Sequence, residues 1–340
     1  MKSVKVEDAI GMVLSHDITE IVPGEFKGVA FRKGHIIQES DIERLLRIGK
    51  EHVYIFEMDG NKLHEDEAAM AIGRLVCGEG IYHTPPSEGK ISIKPEYKGF
   101  VKINVELLDK LNDLGDMILA TIHSNKVVEK DDLIGSYRII PLVIDKDKIR
   151  KAENIFKEGG PIFELRSFKP MKTAVIVTGS EVYKGRIKDK FGPVVERKVK
   201  EFDSEVIYKT IVPDKPEVIK DEIIKSKNMG AELILVTGGM SVDPDDKTPG
   251  AIKSTGADIV TYGTPVLPGA MLLVSYLDGT PVLGLPGCVM YAKTTSFDLV
   301  LPRIFAGEKI TRRDIVKMGY GGQCLSCEVC KFPNCHLGKR

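Results

Sequence analysis

Residues 173–181 read Thr-Ala-Val-Ile-Val-Thr-Gly-Ser-Glu, and residues 232–239 read Glu-Leu-Ile-Leu-Val-Thr-Gly-Gly. Each is a short apolar run ended by Thr-Gly, the pattern of a strand buried on both faces. Between them the spacing predicts helices at 192–202 and 215–227 and a strand at 205–211. Beyond them, apolar runs at 259–262, 271–276 and 281–285 are each flanked by glycine or proline. Strands alternating with helices predict βαβ units. The expected fold class is therefore α/β, a doubly wound, mainly parallel sheet. Ligands of such sheets bind beyond the carboxyl ends of the strands, which directs attention to the loops after 177, 236 and 285.

All three loops are rich in glycine: Thr178-Gly179-Ser180-Glu181, Thr237-Gly238-Gly239-Met240-Ser241, and Leu285-Pro286-Gly287-Cys288. Glycine allows close backbone approach to a ligand, and helix N-terminal N–H groups favour phosphate. Thr248 reads as a helix cap with Pro249 at the first helical position. Asp243, Asp245 and Asp246 place hard carboxylate oxygens beside the Gly-Gly turn, as Mg²⁺ with substrate phosphates requires. Asp214 reads as a site carboxylate or as the cap of helix 215–227, and spacing alone favours the cap. Cys288 at a predicted helix start is a candidate thiolate or a small packing residue.

In order, Val177-Thr-Gly-Ser-Glu181, Ile187-Lys-Asp189, Ile211-Val-Pro-Asp214, Val236-Thr-Gly-Gly-Met-Ser-Val242, Pro268-Gly269 and Gly284-Leu-Pro-Gly287 resemble the molybdopterin-binding domain family. This is the domain of molybdopterin adenylyltransferases and molybdopterin molybdotransferases (MogA, MoaB and MoeA types). The opening of the stretch 237–252 is similar to the molybdotransferases, and its Asp246-x-Thr248-Pro249-x-Ala251 ending to the adenylyltransferases. The resemblance implies a molybdopterin-binding fold, molybdopterin or its adenylylated form as ligand, Mg²⁺, ATP and molybdate as further reactants, and a homo-oligomer. It implies catalytic roles for Asp246, Asp214 and Asp189. The pocket would be lined by Thr178, Gly179, Ser180, Glu181, Thr237, Gly238, Gly239, Ser241, Thr248, Pro268, Gly269, Pro286, Gly287 and Cys288.

Departures from the family pattern concern charge. Molybdotransferases have Lys-Pro-Gly-Lys where this chain has Leu267-Pro-Gly-Ala270, aspartate at the position of Ser180, and asparagine at that of Cys288. Lys184, Arg186, Lys188, Lys190, Arg197 and Lys198 form either a substitute cationic supply or a solvated basic face.

Six cysteines are present, and four of them form Cys324-x₂-Cys327-x₂-Cys330-x₄-Cys335. Four thiolates this close suit a [4Fe–4S] cluster or tetrahedral Zn²⁺. The Cys-x₂-Cys-x₂-Cys run is nearer to ferredoxin-type ligation, with His336 a spare ligand. Gly319, Gly321 and Gly322 predict a flexible approach to an appended Cys-rich tail, residues 309–340.

Equal numbers of basic and acidic residues, 49 each, argue against general nucleic-acid binding. No apolar run is long enough for a membrane span, and the N-terminus lacks a signal-peptide core, so a cytoplasmic protein is expected. Residues 1–158 read as a small α+β region with helices at 40–49, 65–76, 104–113 and 145–157, loops and edge strands over 80–100, and no catalytic motif. A hinge is expected at 159–170 before the α/β domain, 171–308. The leading expectation is a molybdopterin-binding protein of molybdenum cofactor biosynthesis, acting in adenylyl transfer or molybdate insertion. A non-enzymatic molybdopterin carrier or sensor, and a nucleotide pyrophosphatase of the competence-damage protein type, are the alternatives.

Overall fold

The computed structural model of the chain describes residues 2–22, 24, 26–55, 60–244 and 246–338. The chain divides into two compact units, residues 1–96, 103–122 and 130–164, and residues 97–102, 123–129 and 165–340. Among the described residues no helix is long and apolar enough to cross a membrane.

The first unit is α+β. Its N-terminal part packs Val6, Leu14, Ile18, Phe31, Leu45 and Val53 into a small core. Its larger part is a four-stranded antiparallel sheet in the order Ile81–His83, Lys90–Pro95, Gly135–Ile139, Met117–Thr121. The expectation of loops and edge strands over 80–100 is corrected here. Lys90–Pro95 pairs on both sides, because Ile91 and Ile93 alternate with polar residues and turn into the core.

The helix Glu65–Val76 opens on an acidic residue that is only 8% exposed. Burial, with Asp66 beside it, pushes the Glu65 pKa from 4.5 up to about 7. The folded chain thus holds this proton more tightly than the unfolded chain does. The resulting stabilisation is complete below about pH 4.5 and is lost as the pH rises through about 7. Glu65→Gln should therefore be near neutral at about pH 5 and stabilise by about 1–3 kcal/mol at about pH 8. Urea denaturation of both chains at the two pH values checks this, and equal effects at both would refute it. Neighbouring His64 donates from Nε2 to Ser15 O (2.8 Å) and accepts at Nδ1 from the Asp66 N–H (3.1 Å), so both ring nitrogens are engaged.

The second unit carries a six-stranded sheet. Its elements are β1 (Lys172–Thr178), α1 (Phe191–Lys200), β2 (Glu205–Val212), α2 (Pro216–Asn228), β3 (Leu233–Thr237), α3 (Thr248–Ser254), β4 (Asp258–Tyr262), β5 (Leu273–Leu277), β6 (Thr280–Leu285), α4 (Ser296–Phe305) and α5 (Arg312–Lys317). The strand order is β2-β1-β3-β6-β5-β4. The pairs among β2, β1, β3 and β6 are parallel, whereas β5 is antiparallel to both β6 and β4. The fold is doubly wound. On one face Val195, Val199, Phe297, Val300 and Phe305 pack against Val175, Leu235 and Leu283. On the other, Ile219, Ile223, Ala251 and Ile252 pack against Ile176, Ile234 and Val282. Consecutive strand residues thus serve opposite faces, and each large side chain removed from water contributes about 1.5–3 kcal/mol.

Two segments leave the division expected from sequence. Residues 97–102 and 123–129 belong to the second unit. Glu308 explains the first: its carboxylate takes Lys102 (2.8 Å) and Arg166 (2.9 Å) on one oxygen and the buried Arg303 (2.6 Å) on the other. Burial opposes its charge, but Lys102 and Arg303 outweigh that and hold the carboxyl below its usual range. Lys126 reaches Asn334 Oδ1 at 2.6 Å, which joins the second segment to the C-terminus. The expected hinge at 159–170 contains the strand Phe163–Arg166, whose Phe163 and Leu165 are buried.

Candidate functional site

Strand register brings the three glycine-rich loops together. Val177 on β1 lies opposite Thr237 on β3, and Thr237 lies opposite Leu285 on β6. The chain therefore leaves the sheet at one level in three adjacent strands, and the loops share its carboxyl edge.

The first two loops are joined by hydroxyls. Thr248 Oγ1 donates to Gly238 O (2.8 Å) and lies 3.3 Å from Thr178 Oγ1. Thr248 is the first residue of α3, and its side chain does not cap the helix; Lys247 is the cap residue. The expected capping role is thus corrected: the hydroxyl reaches back across the loop. Gly238 (φ +93°) could not carry a side chain, because a Cβ there would lie 2.3 Å from Thr178 O.

Asp214 is also corrected. The helix α2 is capped at Lys215 without a side-chain bond, while Asp214 Oδ2 accepts from the Ser180 N–H at 2.7 Å. Ser180 Oγ accepts in return from the Asp214 N–H at 3.5 Å. This reciprocal pair holds the first loop beside the end of β2. It also gives a use for serine at position 180, where a second carboxylate would face Asp214.

Asp246 Oδ2 accepts from the Ser241 N–H at 2.8 Å and the Asp246 N–H donates to Asp243 O. Among the described residues, Oδ1 of Asp246 carries no hydrogen bond; Asp245 lies outside them. A residue not anticipated from sequence completes this loop. Tyr262, the last residue of β4, donates its hydroxyl to Met240 O (2.9 Å). Burial and then the Asp246 charge raise its pKa. Its only sequence signal is an aromatic residue before glycine at a strand end.

The loop of Pro268 and Gly269, between β4 and β5, is supported from α4. Gly269 (φ +115°) would bring a Cβ within 2.5 Å of Ser296 N, and its carbonyl accepts from Ser296 Oγ (2.6 Å) and Thr264 Oγ1 (3.1 Å). Pro268 precedes it in a cis peptide, and Pro286 is buried. At Gly287 the opposite holds, since a Cβ would meet nothing within 4 Å. Thr237 is fully buried at the end of β3, and its hydroxyl has no hydrogen-bond partner among the described residues. A lone donor-acceptor buried at a loop mouth is the kind of group a ligand completes.

Other expected residues are engaged elsewhere. Asp189 Oδ1 accepts from the N–H groups of Phe191 (2.8 Å) and Gly192 (2.9 Å) at the start of α1, and Oδ2 lies 3.2 Å from Lys209 Nζ. Lys198 is buried against Asp298, whereas Lys184, Arg186, Lys188, Lys190 and Arg197 are exposed, as is Glu181. Cys288 lies in a single 3₁₀ turn, Gly287–Met290, and burial raises its thiol pKa, which disfavours the expected thiolate.

The tail is built into the second unit and does not swing from it. Leu337 is 1% exposed within the core beneath α4. Leu267 N donates to Gly322 O and Cys324 N to Leu267 O, both at 2.8 Å, so tail and Pro268 loop form a two-bond bridge. Gly322 sits where a Cβ would lie 2.2 Å from Pro265 O. Gly322, expected to confer flexibility, instead permits close packing. All four tail cysteines line one cavity of about 290 Å³, together with Pro268 and residues 292–294.

Residues 174–306 match a family model described as a probable molybdopterin binding domain, and residues 3–57 match one described as a domain of unknown function. Molybdopterin molybdenumtransferases of Staphylococcus aureus (strain COL) and Staphylococcus epidermidis are each 30% identical over 132 residues, 36% of this chain and 31% of theirs. The match thus spans about a third of the length of those relatives. Among solved structures, the tungsten cofactor synthesizing protein MoaB from Pyrococcus furiosus is 23% identical with a TM-score of 0.35, over 42% of this chain and 98% of that one. A molybdopterin biosynthesis MoeA protein from Pyrococcus horikoshii is 14% identical with a TM-score of 0.34, over 90% of this chain and 74% of that one.

Proposed function

Residues 174–306 form a domain of the molybdopterin-binding family, and from that premise we propose that the chain binds molybdopterin at the three-loop edge and acts as a transferase of molybdenum cofactor biosynthesis. The observation that carries this reading is the level exit of β1, β3 and β6. It gathers the buried Thr237 hydroxyl and the loop of Asp246 on one edge of the sheet. The 30% identity to molybdopterin molybdenumtransferases supports metal insertion as the reaction.

Each residue then has a defined task. Gly238 and Gly239 keep the β3 loop low, so that a ligand meets backbone rather than side chains. Thr178 and Thr248 lock that loop to the β1 loop, and the Asp214–Ser180 pair locks the β1 loop to β2. Fixed in this way, the loops need no reorganisation when the pterin phosphate arrives. Asp246 is oriented by the Ser241 N–H through Oδ2, and its Oδ1, without a hydrogen bond among the described residues, is the oxygen that would hold Mg²⁺. One carboxylate would suffice, since Mg²⁺ is commonly held by one or two carboxylates together with waters and substrate phosphates. The chemistry Mg²⁺ supplies there is neutralisation of charge on those phosphates.

A second reading, adenylyl transfer, is favoured by the Asp246-x-Thr248-Pro249 ending of the same loop. Purified full chain supplied in one reaction with molybdopterin and Mg-ATP, and in another with adenylylated molybdopterin and molybdate, distinguishes the two. Insertion predicts that adenylylated molybdopterin is consumed as metal enters the dithiolene. Adenylyl transfer predicts that ATP and molybdopterin give the adenylate without molybdate. Tight pterin binding with neither reaction would establish a carrier or sensor, and pyrophosphate cleavage of a nucleotide without pterin would establish a pyrophosphatase.

A further inference from the structure

We propose that Cys324, Cys327, Cys330 and Cys335 bind a [4Fe–4S] cluster in the cavity they line, against the Pro268 loop of the pterin domain. This goes beyond the pterin reading and does not depend on it.

A single ion and a cluster ask different spacings of four sulfurs. Tetrahedral zinc with Zn–S bonds of about 2.3 Å holds its four sulfurs about 3.8 Å apart. In a cubane cluster each cysteine ligates its own iron, so the sulfurs stand around a larger body. The cavity volume of about 290 Å³ agrees with this. It leaves room for a body larger than one ion.

The walls suit a cluster as well. Pro268, Leu325, Phe332 and Leu337 make one part of the lining apolar, while Lys293 and Lys331 add positive charge against a single Glu328. A cube held by four thiolates is anionic, so this balance favours it. Two sulfurs have hydrogen-bonding neighbours: the Ser326 N–H donates to Cys324 Sγ at 3.4 Å, and the Thr294 hydroxyl lies 3.6 Å from Cys330 Sγ. Bonds of this type stabilise thiolate ligands and tune cluster potential. The ligand loop is also held at both ends. The Leu267 bridge fixes Cys324, and the buried Leu337 follows Cys335 by two residues. His336 donates from Nε2 to Gln323 O at 2.8 Å, and four cysteines already supply one ligand for each iron of a cube.

The test uses the full chain purified without oxygen and reconstituted with ferrous iron and sulfide. The expected product carries about four irons and four sulfides per chain, with a broad visible absorption bleached by dithionite. Cys327 is exposed, so Cys327→Ser should fold as the wild type does while losing most of its iron. Thermal melting and pterin binding of that variant report the fold independently of the metal. One zinc per chain without iron, no iron after reconstitution, or wild-type iron in Cys327→Ser/Cys330→Ser would each overturn the proposal. Because iron is counted without pterin, failure here and failure of pterin binding are separate results.

Discussion

Gly238→Ala should cost about 2–4 kcal/mol of stability and abolish pterin binding, whereas Gly287→Ala should leave stability within about 0.5 kcal/mol of the wild type. The two glycines stand on loops of the same sheet edge, and only their surroundings differ. Gly238 has φ +93°, a region that L side chains rarely enter, and its Cβ would lie 2.3 Å from Thr178 O and 2.7 Å from Thr178 Oγ1. The carbonyl belongs to the end of β1 and cannot turn away as a side-chain tip would. Relief therefore requires the β3 loop to lift from the β1 loop. That movement breaks the bond from Thr248 to Gly238 O. Gly287 is unhindered, since nothing lies within 4 Å of its Cβ and its φ is not positive. A methyl group there points into space that a ligand would occupy, so weakened pterin binding in a fully stable Gly287→Ala chain would mark the pocket. Denaturation curves and pterin titrations of both variants check the pair. Equal stability of the two variants would mean that the loop contact is soft.

What could be read from sequence follows what each signal is made of. The runs 173–177, 232–236 and 281–285 became strands at nearly their expected bounds, because a strand buried on both faces must be continuously apolar. The same signal says nothing about direction. The antiparallel placement of β5 is set by the tight turn Asp278-Gly279 between β5 and β6. Asp214 was legible as a residue of interest but not in its role. A carboxylate before a helix suits a cap, and only the fold shows Ser180 N–H within reach. Residues 97–102 join the second unit through Glu308, more than two hundred positions later, and no local pattern encodes such a partner. The tail glycines carried an ambiguous signal, since glycine serves both a loose chain and a close backbone contact. Gly322 is the second case.

Asp246→Asn should reduce metal insertion by about 10²–10³-fold, the usual scale for removing one electrostatic contact to developing charge, with little change in stability. Asparagine keeps a neutral oxygen that can still accept from the Ser241 N–H, so the loop retains its shape. What it loses is the negative charge, and with it the proposed capacity to hold Mg²⁺ beside substrate phosphates. The loss should appear chiefly in turnover and in the Mg²⁺ concentration needed for it, with pterin affinity reduced far less. Asp189→Asn provides the contrast. Asp189 orients two N–H groups of α1 through one oxygen and pairs with Lys209 through the other. Its replacement should lower stability by about 0.5–2 kcal/mol and affect turnover only through the fold. Melting temperature and turnover measured together on the two variants place each carboxylate. If Asp246→Asn melts early and loses turnover only in proportion, Asp246 belongs to the scaffold, and the transferase reading would lose the carboxylate it assigns to Mg²⁺.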